Sequence, residues 1–343
     1  MASTRVKLSD VARLSGVSMT SASMALADSP RVADSTKLRV REAAEQLGYV
    51  PHFAASSLRS QRADSIAVVV PHDTQHVFSH PIFIDILEGV MTAANEHDLS
   101  AILSTARTAS DETSAYSRIL RGRMASGVIV AAASTTDQNV ASLAGADYPV
   151  VVVGRSPQRP GIVTVGIDDL GGGRAAVEHL IRVHGATRIG HVSGPLNHQS
   201  AIDKRTAYVG ALSDAGLDVN PRLQFEGDYT EASGAAAALA LLPELDRCDA
   251  LFFANDQMAV AAMEVFAANG VTVPDNLKVI GYDDHPMLRY SHPALTTVRA
   301  DMVELGAQAM GALIELMNGE QHVESVELPT ELVVRQSCGC TAQ

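Results

Sequence analysis

The chain has 343 residues, 46% hydrophobic and 19% charged, with a formal net charge of −13 and a mean hydropathy of +0.09. That length holds two large domains, or two and a small one, and the composition is that of ordinary globular protein, which excludes a disordered or fibrous chain. The longest apolar runs, Ile66–Val70, Val128–Ala133 and Val150–Val153, fall far short of the roughly 18 residues of a membrane span; Met1–Asp10 has no apolar core of the kind a secretion signal needs. No membrane association and a cytoplasmic location are expected. Residues 1–62 carry nine Lys and Arg against five acids, so a head of net +4 precedes a body of net −17. Such asymmetry points the head toward a polyanion.

The head reads as three short helices. In Leu8–Ser15, apolar residues at 8, 11, 12 and 14 make one face, and Gly16 supplies a turn. Ser18 caps a second helix whose Ala22, Ala25 and Leu26 face inward, leaving Met19, Thr20, Ser23 and Met24 on other faces. A third, from about Asp34 to Leu47, carries Leu38, Val40, Ala43, Ala44 and Leu47 and stops at Gly48. Two short helices joined by a glycine turn and braced by a third match a helix-turn-helix reader, with the second helix in the major groove. A small helical cap on an enzyme has the same outline.

The residues themselves separate the two. Val6–Ser18, the segment through Ala27, Ser29-Pro-Arg-Val32 and Ala44-Glu-Gln-Leu-Gly-Tyr-Val-Pro51 closely resemble the DNA-binding head of the lac repressor (LacI/GalR) family. The resemblance implies that Ser18, Ser21 and Ser23 contact phosphates and that Met19 and Thr20 approach base edges. Met24 stands where the family usually has Arg, and Ala27 where it has Asn. Methionine lacks the forked donors that read guanine, so an atypical operator is implied. His52–Ser60 resembles the family's hinge helix, with Leu58 at the position of the minor-groove wedge. His52 replaces the usual Asn there and Ser56 a common Arg. So short a helix is unstable alone and is expected to form only on DNA and against a dimer mate.

From residue 64 the pattern becomes strand and helix in alternation. Ile66–Val70, Ala101–Ser104, Gly127–Ala131 and Pro149–Val153 form one set of β-rich runs, with helices such as Ile84–His97 and Asp111–Arg121 between them. Val163–Ile167, Arg188–Val192, Leu223–Glu226, Leu251–Phe253 and Val279–Tyr282 form a second, interleaved with Gly171–His184, Ala201–Ala215, Ala232–Leu242 and Met258–Asn269. Two parallel α/β lobes follow. The family resemblance continues through Asp168–Leu180, Gly194-Pro195, Ala254–Met258, Gly281-Tyr-Asp-Asp284 and Leu295–Arg299, and so covers nearly the whole chain. It implies a two-lobed, periplasmic-binding-protein-like (type I) effector domain. The expected organisation is a head over 1–51, a hinge over 52–63, a first lobe of 64–162 plus 296–325, and a second of 163–295 plus 326–343.

Open parallel sheets bind ligands beyond the carboxyl ends of their strands. Asn255 and Asp283 each follow a strand and match family positions that hydrogen-bond the effector, although an Asn or Asp there also serves as a helix cap. The family places a basic residue near the start of the helix after Gly194-Pro195. Arg205 is preferred for its forked donors, with Lys204 open. Tyr229 matches an aromatic that stacks on the effector and Phe83 lies at the first lobe's entrance; either could instead be core. Ala300 and Gly154 replace polar residues of relatives, which implies a different ligand from theirs.

Other chemistry finds no support. Gly171-Gly-Gly-Arg174 lacks phosphate-loop spacing and reads as tight helix packing; G-x-S-x-G, S-x-x-K and H-E-x-x-H are absent. The twelve histidines look scattered, and Cys338-Gly-Cys340 reads as an incidental tail without the paired spacing of a zinc site, so no metal and no cofactor are expected. The expected function is a transcriptional regulator, a repressor of metabolic genes, and not an enzyme. Its partners would be palindromic double-stranded operator DNA, a second copy of the chain in a homodimer, and a metabolite such as a sugar or nucleoside between the lobes.

Overall fold

The computed structural model describes residues 6–26, 28–49, 64–108, 110–122, 124–146, 148–156, 161–286 and 290–341. The chain divides into two units, Met1–Asp64 and Ser65–Gln343. In the first, α1 (Leu8–Ser15), α2 (Met19–Leu26) and α3 (Asp34–Leu47) close around Val11, Ala12, Ala22, Ala25, Val40, Ala43 and Ala44. The Asp10 carboxylate accepts the Lys7 N–H at 3.0 Å, and Gly16 ends α1 at φ 66°, a left-handed conformation open to glycine. Ser18 caps α2 as expected, its Oγ accepting the Ser21 N–H at 3.1 Å. Leu14 and Leu38 correct the expected faces, because they are 51% and 60% exposed. At 100° per residue Leu38 falls opposite Val40, Ala43 and Ala44, and Leu14 lies about a quarter-turn past the Val11–Ser15 face.

The second unit begins with β1 (Ser65–Asp73), α4 (Thr74–Ser79), α5 (Pro81–Glu96), β2 (Ser100–Ala106), α6 (Thr113–Gly122), β3 (Val128–Ala131), α7 (Asn139–Ala144), β4 (Val150–Val153) and β5 (Val163–Ile167). It continues with α8 (Asp169–His184), β6 (Ile189–Ser193), α9 (Gln199–Asp214), β7 (Gln224–Glu226), α10 (Glu231–Leu241), β8 (Ala250–Phe253), α11 (Asp256–Ala268) and β9 (Lys278–Asp283). Then come β10 (Thr296–Arg299), α12 (Met302–Met317), β11 (Val326–Leu328) and β12 (Glu331–Val333). Two six-stranded sheets result, ordered β11-β5-β4-β3-β1-β2 and β12-β10-β9-β8-β6-β7. The pairings are parallel except β10 with β12, which is antiparallel. The central strands are buried on both faces, hence the near-continuous Val and Ile runs.

The lobe boundaries differ from those expected. β5 pairs with β4 in the first sheet, and β10 pairs with β9 in the second. The chain therefore crosses after Ile167, returns after Arg299 with α12 and β11 only, and crosses again after Leu328. An apolar run announces a buried strand but not its neighbour, which the sheet order decides. The crossings lie side by side: the Asp168 N–H donates to Leu328 O at 2.9 Å. Asp168 caps α8 and Asp301 caps α12, accepting N–H groups at 2.7 and 2.9 Å. α12 seats on α5 where glycines allow backbone approach, since a Cβ on Gly89 would strike Val303 O and one on Gly306 would strike Ile86 O.

Gly171–Gly173 serve packing, as expected: a Cβ on Gly172 would lie 2.7 Å from Thr330 Oγ1, and one on Gly173 3.0 Å from Ala207 Cβ. The C-terminal segment corrects the reading of an incidental tail. Ser337 and Cys338 are fully buried, and Ser337 Oγ accepts the Thr296 N–H at 2.8 Å while donating to Val279 O at 2.6 Å, which ties the segment to β10 and β9.

Candidate effector cleft and DNA-reading helix

Between the two sheets, beyond the carboxyl ends of their strands, lies a cleft enclosing about 1010 Å³ of non-protein space, part of it open to solvent. Phe83, Lys204, Asp169, Tyr229, Asn255 and Asp283 all line it. Three of its lining residues, Ala132, Tyr229 and Asp283, have φ of 56°, 69° and 109°, although none is glycine. Such backbone costs of order 1–3 kcal/mol per residue and persists where the surroundings enforce it, commonly at binding sites.

Lys204 reaches the cleft from the buried face of α9, alongside Ala201, Tyr208 and Ala211. Its Nζ lies 3.2 Å from Asp169 Oδ1, donates to Ser200 Oγ at 2.9 Å, and sits 3.8 Å above the Tyr282 ring centre. Burial alone depresses a lysine, but the Asp169 carboxylate, with Tyr229 and Asp283, reverses this and holds Lys204 above its usual value. Asp283 is pushed well up by burial and by Asp256 and Asp169, with Lys204 opposing. Burial pushes the Tyr229 hydroxyl up to about 12. The Tyr229 ring lies over Gly194, where any Cβ would overlap it. Asn255 holds this arrangement: its Oδ1 accepts the Met258 N–H at 3.0 Å, capping α11, and its Nδ2 donates to Tyr229 O at 2.9 Å.

One wall is a row of stacked imidazoles. His72, at the end of β1, stacks on His76 of α4 at 4.3 Å between ring centres, and His76 stacks on His80 at 4.0 Å. His198, from the other lobe, stacks on His72 at 5.6 Å, and Phe83 meets His80 edge-on at 6.3 Å. Burial lowers His72, and takes His76 and His198 to about 4, with neighbouring imidazoles adding repulsion. His80 Nδ1 bonds His76 O at 2.7 Å, while its buried Nε2 has no partner among the described residues. With Nδ1 carrying the proton, Nε2 is an acceptor held in the cleft wall.

Further bridges cross between the lobes. Arg155 donates through Nε and a terminal nitrogen to Asp203 of α9, at 2.8 and 3.0 Å. The Gln257 amide donates to Ser79 O at 3.1 Å and the Thr135 N–H to Asn197 O at 2.8 Å.

In the head, α2 buries Ala22 and Ala25 and leaves Ser18, Met19 and Thr20 exposed, with Ser21, Ser23 and Met24 half-buried. Its N-terminal N–H groups and small hydroxyls make a phosphate-compatible end, and Met19 and Thr20 project from the first turn.

Residues 7–52 match the bacterial regulatory proteins, lacI family, and residues 177–338 match a periplasmic binding protein-like domain. The HTH-type transcriptional regulator CelR of Thermobifida fusca is 34% identical over 337 residues, covering 97% of this chain and 98% of that protein. The chain belongs to the LacI family. Two solved structures share its architecture. One, a CelR–cellobiose complex, is 31% identical with a TM-score of 0.74, over 97% of this chain and 100% of that one. The other, the lac repressor dimer bound to operator and the anti-inducer ONPF, is 26% identical with a TM-score of 0.85, over 97% and 99%. This LacI-family chain is an effector-controlled, DNA-binding transcriptional regulator, from a family of regulators and not of enzymes. No described helix is long and apolar enough to cross a membrane.

Of the LacI-type site residues expected, Phe83, Tyr229, Asn255 and Asp283 are gathered in the cleft, and Phe83 is both lining and core, at 4% exposure. Asn255 combines the cap and cleft roles. Arg205 is a correction: it is exposed on α9, and Lys204 lines the cleft instead. The preference for forked donors chose the wrong neighbour, because the buried face of α9 selects position 204. Gly154 lines the cleft as expected without a side chain. Ala27, His52, Ser56 and Leu58, with the whole hinge segment, lie outside the described residues. The histidine row was missed, and its signal was the His72, His76, His80 spacing of four, which corrects the view of the histidines as scattered.

Proposed function

We propose that the effector is an uncharged small saccharide, held between Phe83, Tyr229 and the histidine row by Asp169, Asp228, Asp283, Lys204 and Asn255. The observation that carries this is the charge state of the cleft. Lys204 is the one Lys or Arg among the described lining residues, and Asp169 already neutralises it, while burial lowers His72, His76 and His198. A phosphate or carboxylate ligand finds no unpaired cation there. Saccharide hydroxyls find carboxylates and the free His80 Nε2 as acceptors, and the apolar faces of sugar rings find flat side chains to lie on. The similarity to CelR, solved with cellobiose, supports the same class.

The regulator acts as a homodimer on a palindromic operator, as a repressor, in the cytoplasm. Ser18, Ser21 and Ser23 take phosphates, Met19, Thr20 and Met24 face bases, and His52 and Leu58 contact the hinge's half of the site. Saccharide binding changes the separation of the lobes, and so the geometry that two hinge segments need to pair on DNA. The test is calorimetric titration of the full chain with cellobiose and other disaccharides, nucleosides and sugar phosphates, alongside operator binding at fixed salt. A neutral saccharide binding at micromolar Kd and shifting operator affinity supports the reading. Binding confined to nucleosides or phosphorylated sugars overturns it.

A further inference from the structure

Two histidines and two cysteines outside the effector cleft converge on one point. His179 and His184 lie in the last turns of α8, and Cys338 and Cys340 lie on the C-terminal segment that follows β12. One ligand atom from each falls within 4.8 Å of every other. The two Nε2 atoms are 3.3 Å apart, and Cys340 Sγ is 3.4 Å from His184 Nε2 and 3.7 Å from His179 Nε2. A tetrahedral ion with M–N near 2.05 Å and M–S near 2.3 Å sets N···N at about 3.3 Å, N···S at about 3.6 Å and S···S at about 3.8 Å. The three spacings among His179, His184 and Cys340 match edges of that tetrahedron, and Cys338 Sγ lies within 4.8 Å of each of them.

The local chain is shaped to bring these atoms together. Gly339 sits at φ 97°, beyond the ordinary reach of a side-chain-bearing residue, and this turn lets both flanking cysteines face α8. Thr296 Oγ1 accepts the Arg335 N–H at 2.8 Å, so its own proton is directed to Cys338 Sγ at 3.2 Å. A hydroxyl donated to sulfur is the support a metal-bound thiolate requires. Cys338 is fully buried and Cys340 half-buried, and the four ligands leave no open position in a tetrahedral shell.

We propose that His179, His184, Cys338 and Cys340 bind a zinc-class ion in a closed Cys2His2 site. Two soft thiolates and two imidazoles in tetrahedral array favour Zn2+ over the hard, oxygen-seeking ions. The site is structural, because no coordination position remains for substrate. It staples the C-terminal segment of the second lobe to α8, the helix whose other end carries Asp169 into the effector cleft, about 22 Å away at 1.5 Å per residue. The sequence expectation of no metal missed this cluster because the ligands come in pairs some 155 residues apart, and although four residues separate the histidines, as in common zinc motifs, a single residue separates the cysteines.

The test is elemental analysis of the full, untagged chain purified under reducing conditions, with Co2+ substitution as a spectroscopic probe. The expected result is about one zinc per chain and, with Co2+, intense visible bands of a tetrahedral sulfur-ligated ion with a thiolate charge-transfer band in the near ultraviolet. Cys340→Ser and His184→Gln each abolish stoichiometric zinc and those bands, and zinc removal lowers the Tm by several degrees. These two positions are only partly buried, and should one variant fail to fold the other gives the same readout. The proposal is overturned if the reduced parent carries under about a tenth of an equivalent and shows no Co2+ bands, or if both variants keep their metal. A Cys338–Cys340 disulfide in the freshly purified, metal-free chain overturns it as well.

Discussion

Replacing Lys204 with Met removes one partner of a buried pair and keeps the volume. At 3.2 Å, and with an effective dielectric near 20, the Lys204–Asp169 attraction is about 5 kcal/mol, most of it offset by the desolvation of both groups. The side chains are 5% and 11% exposed, so the variant leaves Asp169 buried without its counterion, beside Asp283. Such losses cost about 3–5 kcal/mol, which for a unit this size lowers the Tm by roughly 6–10 °C. The double variant Lys204→Met/Asp169→Asn carries no orphaned charge and should recover about 2–3 kcal/mol relative to Lys204→Met, and with Asp169→Asn alone it closes a cycle that gives the coupling energy. The pH dependence follows from the sign of the shift. Lys204 holds Asp283 down, so its loss raises that folded-state pKa further above the unfolded value. A carboxyl raised in the folded state gains stability as it takes up a proton, so the deficit of Lys204→Met shrinks as pH falls through the Asp283 titration. Urea unfolding of the parent, the two single variants and the double variant over a pH series measures this. A single-variant loss under about 1 kcal/mol with no coupling would mean that the pair is solvated, and the reasoning about the cleft's charge would go with it.

Gly194→Ala drives a methyl into the Tyr229 ring and displaces it, so saccharide affinity should fall about fivefold to tenfold with little change in stability, as calorimetry would report. His191 is fully buried between Phe252 and Tyr208 and is depressed to about 4 by burial. Its neutral form is the folded one, so the stability it confers is complete above pH 6.5 and is lost as pH falls toward 4, about 2 kcal/mol by pH 5. His191→Phe should flatten that part of the pH–stability curve, and an unchanged slope would exonerate the residue. Arg155→Met breaks the inter-lobe pair with Asp203 and should raise the saccharide Kd about threefold to tenfold by favouring the open form, with scattering showing a larger radius for the ligand-free protein. Met24→Arg restores a forked donor to α2, and selection from random operators should then show a new guanine preference of about 1–3 kcal/mol at one position per half-site.

The helix-turn-helix head was legible because local signals agree: Gly16, Ser18 and Gly48 mark its turns and caps, and small residues at helical spacing mark its core. Phe83, Tyr229, Asn255 and Asp283 were legible because each follows a strand end or lies in a stretch shared with the family. Helical periodicity was less secure in the small head, where Leu14 and Leu38 turned outward. Sequence by itself thus determined the head, most of the longer elements of the lobes and the family, all of which depend on residues a few positions apart. Tertiary structure alone decided that β5 joins the first sheet and β10 the second, that Lys204 and not Arg205 enters the cleft, that His198 completes the histidine row, and that His179 and His184 meet Cys338 and Cys340. Those outcomes depend on which strand neighbours which and how each helix is turned on its sheet, and burying all the apolar faces at once settles both.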